Sequence, residues 1–180
     1  MTLKFLIASA ALAGTLAAVQ ATAGEAHDPA KLSDVEMAHA AYTADNIDIR
    51  YAHLALAIST DPAVHEFART MIRDHEAVNA QALGLLEKLG AQPKDNFLSQ
   101  KLDADAAKII DEMSRLRGAE FDAYYAANEL AYHKAVNGLV EHSFIPNINH
   151  PEVKALFEAG LRIFKIHEDH AQMVVEATGQ

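Results

Sequence analysis

The stretch Tyr125 to Val140, YAANELAYHKAVNGLV, decides the fold that this chain can adopt. Read at about 100° per residue, it places Tyr132 and Val136 on one apolar stripe of a helix. Glu129 and His133 fall in the middle of that stripe, four residues apart and therefore on the same face. A buried carboxylate is very costly unless it finds a partner or a metal ion. The rest of the chain must therefore supply that partner.

Helical periodicity recurs along the chain, whereas no segment shows the sustained alternation of a strand. Capping residues and helix-ending Gly and Pro predict helices at roughly 34–59, 62–89, 98–116, 119–144 and 151–177. Four long helices with a shorter one between the second and third predict an all-α fold, a four-helix bundle with one crossover. If the short helix returns the chain to the other end of the bundle, the topology is ferritin-like. A plain five-helix arrangement is the alternative.

The first residues carry an export pattern. Lys4 is followed by an apolar run from Phe5 to Val19 and then by Ala21-Thr22-Ala23, the order of regions found in a secretory signal. The run is too short for a comfortable membrane span, so an integral membrane protein is not predicted. We expect residues 1–23 to be a signal peptide, residues 24–33 a polar leader and residues 34–177 the helical bundle domain of a periplasmic protein.

Composition excludes several classes of function. The chain has 180 residues, which suggests one domain, and it has no Cys. Disulfides, thiolate metal sites and a Cys nucleophile are therefore excluded. The formal net charge of -10 argues against nucleic acid as a partner, because nucleic-acid binding needs a basic face.

Each long helix carries a polar residue near its middle on the face that should point inward. His75 lies at the centre of the apolar stripe of the second helix and His167 at the centre of the last, while Asp45 and Asp48 share a face of the first, so that one or both should point inward. Asp48, His75, His133 and His167 each lie roughly 13–16 residues from the start of their own helix, at about 1.5 Å per residue. These four side chains should therefore meet in one layer at the midplane of the bundle.

Such a layer predicts a metal site, because bundle cores host sites built from facing His and carboxylate side chains. The predicted ligands are His75, His133, His167, Glu129 and Asp48, with His170 as a further candidate one turn after His167. The set suits Zn, Cu or Fe, and the sequence does not choose among them. It differs from the carboxylate-rich di-iron set, so a ferroxidase is not predicted and no catalytic residue is assigned.

A metal-free polar layer is the second interpretation. Tyr42, Tyr51, Tyr125 and Tyr132 could satisfy the imidazoles, and a connected polar layer can fix the register of helices without an ion. The protein would then be a structural or interaction bundle, such as an envelope stress or accessory protein. Its partner would be another copy of the chain or an envelope protein. A pH sensor is a third interpretation that no feature of the sequence favours over the others.

One sequence pattern resembles a known family. The segment Phe67 to His75, FARTMIRDH, is its most specific part, and the resemblance extends through Asn79, Phe121-Asp122-Ala123-Tyr124-Tyr125, His133 and His167. Together these residues resemble the exported bacterial family called domain of unknown function 4142, over nearly the whole mature chain. The resemblance implies a ferritin-like helical bundle in the periplasm or envelope, and it implies no activity.

Three of the predicted ligands match recurring positions of that family. His75, His133 and His167 correspond to its recurring histidines. Many members have an apolar residue at the position of Glu129. This difference suggests that Glu129 is an extra ligand or polar contact in the present chain.

Overall fold

Five α-helices make up most of residues 27–179, the part of the chain that the computed structural model describes. They are α1 (Asp34–Ile58), α2 (Pro62–Lys88), α3 (Phe97–Ser114), α4 (Gly118–Leu139) and α5 (Pro151–Thr178). No strand occurs within that range, so the predicted all-α class is confirmed. None of the described helices is long and apolar enough to span a membrane. The predicted signal peptide lies outside the described residues.

The helix ends follow local side-chain chemistry. Ser33 and Glu36 form a capping box at the start of α1, in which each side chain accepts a hydrogen bond from the other residue's backbone N–H. At the start of α2, the carboxylate of Asp61 accepts hydrogen bonds from the N–H groups of Ala63 and Val64, at 2.7 and 3.2 Å. Both caps satisfy donors that a helix leaves unpaired in its first turn.

The end of α4 differs from the prediction. The α-helix was expected to reach Phe144, but it ends at Leu139 and continues as a π-helical turn, Val140–Phe144. The N–H of Ile145 donates to the carbonyl oxygen of Val140 at 2.9 Å, which spans five residues instead of four. Apolar periodicity does not reveal a single wider turn of this kind. The other helix ends agree with the prediction to within two residues, the ordinary uncertainty of a boundary.

The helices pack so that four of them share an interior. α1 packs along α2, and α4 packs along α5. α2 also contacts α5, and α1 contacts α4, whereas α3 lies mainly against α1. Each of α1, α2, α4 and α5 therefore has a face that looks toward the same core.

Two apolar clusters occupy different levels of that core. The first contains large side chains of α2 and α4, among them Phe67, Met71 and Phe121. The second is built around Phe144 and Phe157, where the π-helical turn meets α5. Along the helices, the polar residues predicted to form a layer lie between the two clusters. Apolar packing on both sides therefore fixes the height at which the polar side chains meet.

We expect the Asp61 cap to stabilise the helix that carries His75. Replacing Asp61 with Ala leaves two N–H groups without their acceptor and should lower the free energy of unfolding by about 1 kcal/mol. Urea unfolding measures this difference. Glu66→Ala, at an exposed position of the same helix, is the matched control and should change the free energy by less than about 0.5 kcal/mol. Equal effects of the two substitutions would contradict the assigned role of the cap.

Candidate metal centre

The predicted ligands from four helices meet in the interior. Asp48 of α1, His75 of α2, Glu129 and His133 of α4 and His167 of α5 are all buried, with 0–4% of each residue exposed. We call these five residues the central layer. Burial of three imidazoles and two carboxylates at one level is unusual, because ionisable groups are rarely fully buried without partners.

Three imidazoles and one carboxylate approach a common point. One nitrogen from each of His75, His133 and His167 lies within 4.8 Å of the other two. The Oδ2 atom of Asp48 lies 3.6 Å from Nε2 of His75 and 3.5 Å from Nε2 of His133. These separations need only a small contraction to surround one ion, since Zn–N and Zn–O bonds are about 2.0–2.2 Å long.

Each of the three imidazoles makes a hydrogen bond through one of its two nitrogens. Nδ1 of His75 bonds to the carboxylate of Asp45 at 2.9 Å, and Nδ1 of His133 bonds to the main-chain oxygen of Glu129 at 2.9 Å. Nε2 of His167 bonds to the carboxylate of Asp74 at 3.0 Å. Since each of these oxygens accepts, the bonded nitrogen is the one that carries the proton. In the neutral form of each ring, the opposite nitrogen is therefore left with its lone pair.

These opposite nitrogens point into the layer without a partner. Nε2 of His75, Nε2 of His133 and Nδ1 of His167 are buried and make no hydrogen bond within the described chain. Proteins use this arrangement for metal-binding histidines, in which an outer acceptor fixes the ring and its tautomer. The geometry is therefore that of three oriented nitrogen ligands.

Glu129 lies to one side of the three nitrogens. Its carboxylate forms a second group with Asp48 and His133, whose potential ligand atoms lie within 4.8 Å of one another. Glu129 Oε2 is 3.8 Å from Nδ1 of His133. Burial, together with the adjacent Asp48 carboxylate, raises the pKa of Glu129 well above its usual value. The two carboxylates are therefore close enough that they resist being charged together.

The pKa values of two histidines are shifted in opposite directions. Burial lowers the pKa of His167 to about 4, an effect that the bond to Asp74 opposes and the neighbouring His75 and His133 increase. Burial also lowers the pKa of His75, but Asp48 and Asp45 outweigh it and the net shift is upward. His167 is therefore neutral at neutral pH, the form that binds a metal ion.

His170 does not join the layer. Its ring packs edge-on against Phe67, with ring centroids 5.0 Å apart, and it belongs to neither group of potential ligands. One turn of helix separates it from His167, and this offset directs it toward the apolar cluster. A spacing of three residues on a helix therefore did not suffice to bring both side chains to the same point.

The sequence predicted only some of the residues that form hydrogen bonds to the histidine rings. Asp74 was a sequence candidate for this role, and the structure places it on His167. Two other candidates, Asn79 and Tyr125, make no bond to a ring: Asn79 Oδ1 and the Tyr125 hydroxyl have no partner among residues 27–179. The sequence pattern placed Asp45 on the inward face of α1, yet it did not show that this residue would hold His75.

Asn137 was missed by sequence reasoning. Its side-chain nitrogen donates to the carbonyl oxygen of Phe164 at 3.1 Å and to Glu168 at 3.0 Å, which ties α4 to α5 next to the layer. A signal was present, because Asn137 follows His133 by four residues and so lies on the same helical face.

One cavity adjoins the layer, and a second lies beyond it in the core. A small one of about 10 Å³ is bordered by Asp48, His75 and His133, which is space for about one water-sized sphere. A larger and mainly apolar one of about 90 Å³ lies between α1, α2, α4 and α5 and reaches Asp45 and Asn79. The layer therefore has local room for an ion or a water molecule.

Residues 17–174 match a protein family described as domain of unknown function (DUF4142), and the chain belongs to this family. This result confirms the family inferred from the sequence. No curated protein and no solved structure matches the chain significantly. The function must therefore be argued from the site itself.

The lowered pKa of His167 predicts a pH-dependent stability. An unfolded histidine titrates near pH 6.5, so the unfolded chain takes up a proton that folded His167 resists until about pH 4. This contribution is complete above pH 6.5 and lost as the pH falls toward 4. It corresponds to about 3 kcal/mol of unfolding free energy.

The measurement is urea unfolding at pH 7 and pH 4 with a chelator present. We expect His167→Gln to lose less stability between these two pH values than the unmodified protein, by about 3 kcal/mol. His142→Gln, at a histidine whose side chain is 77% exposed, is the control and should behave like the unmodified protein. The same pH dependence in all three proteins would refute the buried, neutral state of His167.

Proposed function

We propose that the protein binds one first-row transition-metal ion, such as Zn, Cu or Fe, at the central layer. The ligands are Nε2 of His75, Nε2 of His133, Nδ1 of His167 and the carboxylate of Asp48. One observation carries the proposal: all three rings are fixed through one nitrogen, and the other nitrogen of each is buried without a partner. Imidazole and carboxylate ligands in this proportion suit these ions.

The alternative of a metal-free polar layer fits these contacts less well. A layer that only sets helix register should have its polar groups connected, because each unsatisfied buried group costs about 1–3 kcal/mol. Here the oxygens of Asp48 have no hydrogen-bond donor among the described residues other than a protonated Glu129, and the three inward nitrogens have no partner. The Oδ2 atom of Asp48 lies 3.5–3.6 Å from the inward nitrogens of His75 and His133, and in the neutral form of these rings neither nitrogen has a proton to donate. A bound cation would satisfy all of these atoms together.

The proposal includes the bundle topology. In it, α1, α2, α4 and α5 form a four-helix bundle of the ferritin-like type, and α3 carries the crossover. The support is that each of these four helices contributes a side chain to the layer, while α3 packs outside on α1. The proposed role is metal binding, and no catalytic step is assigned.

We also propose that the protein works in the periplasm after removal of residues 1–23. The support is the run of charged, apolar and small residues at the N-terminus. Expression of the full chain in a bacterium, followed by mass measurement of the protein in the periplasmic fraction, should give a chain that begins at Gly24. Recovery of a chain that still contains residues 1–23 in the cytoplasmic fraction would contradict export.

Metal content tests the central proposal. The protein is expressed from the full chain without a His tag, stripped with a chelator and titrated with Co(II). We expect about one equivalent to bind and to produce a saturable visible band, because the ion would be surrounded by three nitrogens and one oxygen.

His75→Ala should abolish this band, since it removes one of the three nitrogens. His142→Ala, at an exposed histidine, should leave the band intact and serves as the matched control. A protein that binds none of Co(II), Zn(II), Cu(II) and Fe(II) would refute the proposal. A band that survives His75→Ala would move the site to another part of the molecule.

A further inference from the structure

Two groups of potential ligand atoms share His133 at one level of the core. The first group consists of three histidines, with Asp48 beside it. The second consists of Asp48, Glu129 and His133. His167 belongs only to the first group, and Glu129 belongs only to the second. The two groups therefore define two neighbouring positions for an ion, with different ligand chemistry at each.

The second position has the chemistry of a harder cation. It offers two carboxylates and one imidazole, whereas the first position offers three imidazoles and one carboxylate. Carboxylate oxygens suit ions such as Mn(II), and imidazole nitrogens suit Zn(II) and Cu(II). Asp48 and Glu129 together would also neutralise a divalent cation inside the protein, where an uncompensated charge is costly.

Unpartnered atoms around Glu129 support a ligand at this position. Both oxygens of Glu129 and both of Asp48 are buried, and the one hydrogen bond open to them in the described chain is between the two carboxyl groups when Glu129 is protonated. The hydroxyl groups of Tyr51 and Tyr125 are also buried and unpartnered. A bound cation would give the carboxylate oxygens the partner that the protein does not supply.

His133 is shared by the two positions, and this prevents both from holding an ion through that histidine at the same time. Nδ1 of His133 is taken by the main-chain oxygen of Glu129, so only Nε2 is free to bind an ion. A neutral imidazole nitrogen has one lone pair and binds one ion. An ion that takes Nε2 of His133 at one position therefore removes a ligand from the other.

We propose that the central layer has two mutually exclusive metal positions: a three-histidine position for Zn(II)-like ions and a carboxylate position at Asp48, Glu129 and His133 for Mn(II)-like ions. Glu129 is then the residue that extends the range of ions the protein accepts. This inference rests on the proposed function, because His133 and Asp48 serve both positions. It goes further by assigning a different ion class to each side of the layer.

A pair of substitutions separates the two positions. Glu129→Gln keeps the shape of the side chain and removes its charge, and it should weaken Mn(II) binding at least tenfold while changing Zn(II) affinity less than threefold. His167→Gln should do the reverse. Mn(II) binding is measured by the loss of the free-ion EPR signal, and Zn(II) binding by competition with a chromophoric chelator. Far-UV circular dichroism confirms that both variants keep the helical fold.

A competition experiment on the unmodified protein needs no variant. Zn(II) added to the Mn(II)-loaded protein should release Mn(II) one for one, because both ions require the same nitrogen. Retention of Mn(II) beside bound Zn(II) would overturn mutual exclusion. Equal loss of both affinities in Glu129→Gln would indicate a single five-residue site and overturn the two positions. Zn(II) binding without any Mn(II) binding would overturn this inference alone, whereas a failure to bind either ion would overturn the proposed function as well.

Discussion

The hydrogen bond behind each imidazole is the constraint on which the candidate site depends. Asp45, the main-chain oxygen of Glu129 and Asp74 each hold one ring nitrogen, at 2.9–3.0 Å. These contacts fix both the rotation of the ring and the nitrogen that carries the proton. Without them, three buried histidines could bond to one another or to tyrosines. With them, the three lone pairs converge.

The apolar parts of the core provide the second constraint. Large side chains such as Phe67 and Phe121 pack on one side of the central layer, and Phe144 and Phe157 pack on the other. Sliding one helix by a single residue would rotate its polar side chain by about 100° and bury a charge against hydrocarbon. The layer therefore depends on the register set by the two clusters. The layer in turn makes every other register of the helices energetically unfavourable.

Much of the fold and of the layer could be predicted because helical periodicity is a strong signal. His75 and His167 each lie at the centre of an apolar stripe, and both prove to be buried at the level of His133. Long helices of similar length made the axial position of Asp48 predictable too. The π-helical turn after Leu139 was not predictable, because one added residue in a turn leaves little trace in the apolar pattern.

The sequence did not predict which side chains would bond to one another, for a different reason. The bond between Asp45 and His75 crosses from one helix to another, and it depends on rotations that no spacing within a helix determines. The division of the carboxylates likewise follows from angles between helices: Asp48 approaches both His75 and His133, while Glu129 is grouped only with Asp48 and His133. His170 shows the limit of the spacing argument, since its ring turns to Phe67.

The carboxylates that hold His167 and His75 differ in their exposure to solvent and dissolved salt. Arg73 bonds to both oxygens of Asp74 at the surface, at 2.7 and 2.9 Å, and Asp74 in turn holds His167. His75 is held by Asp45, whose side chain is 9% exposed. The side chain of Asp74 is 25% exposed, and that of its partner Arg73 is 70% exposed. Dissolved salt screens exposed ion pairs such as Arg73–Asp74 more than buried contacts such as Asp45–His75. We therefore expect dissolved salt to weaken the support of His167 more than the support of His75.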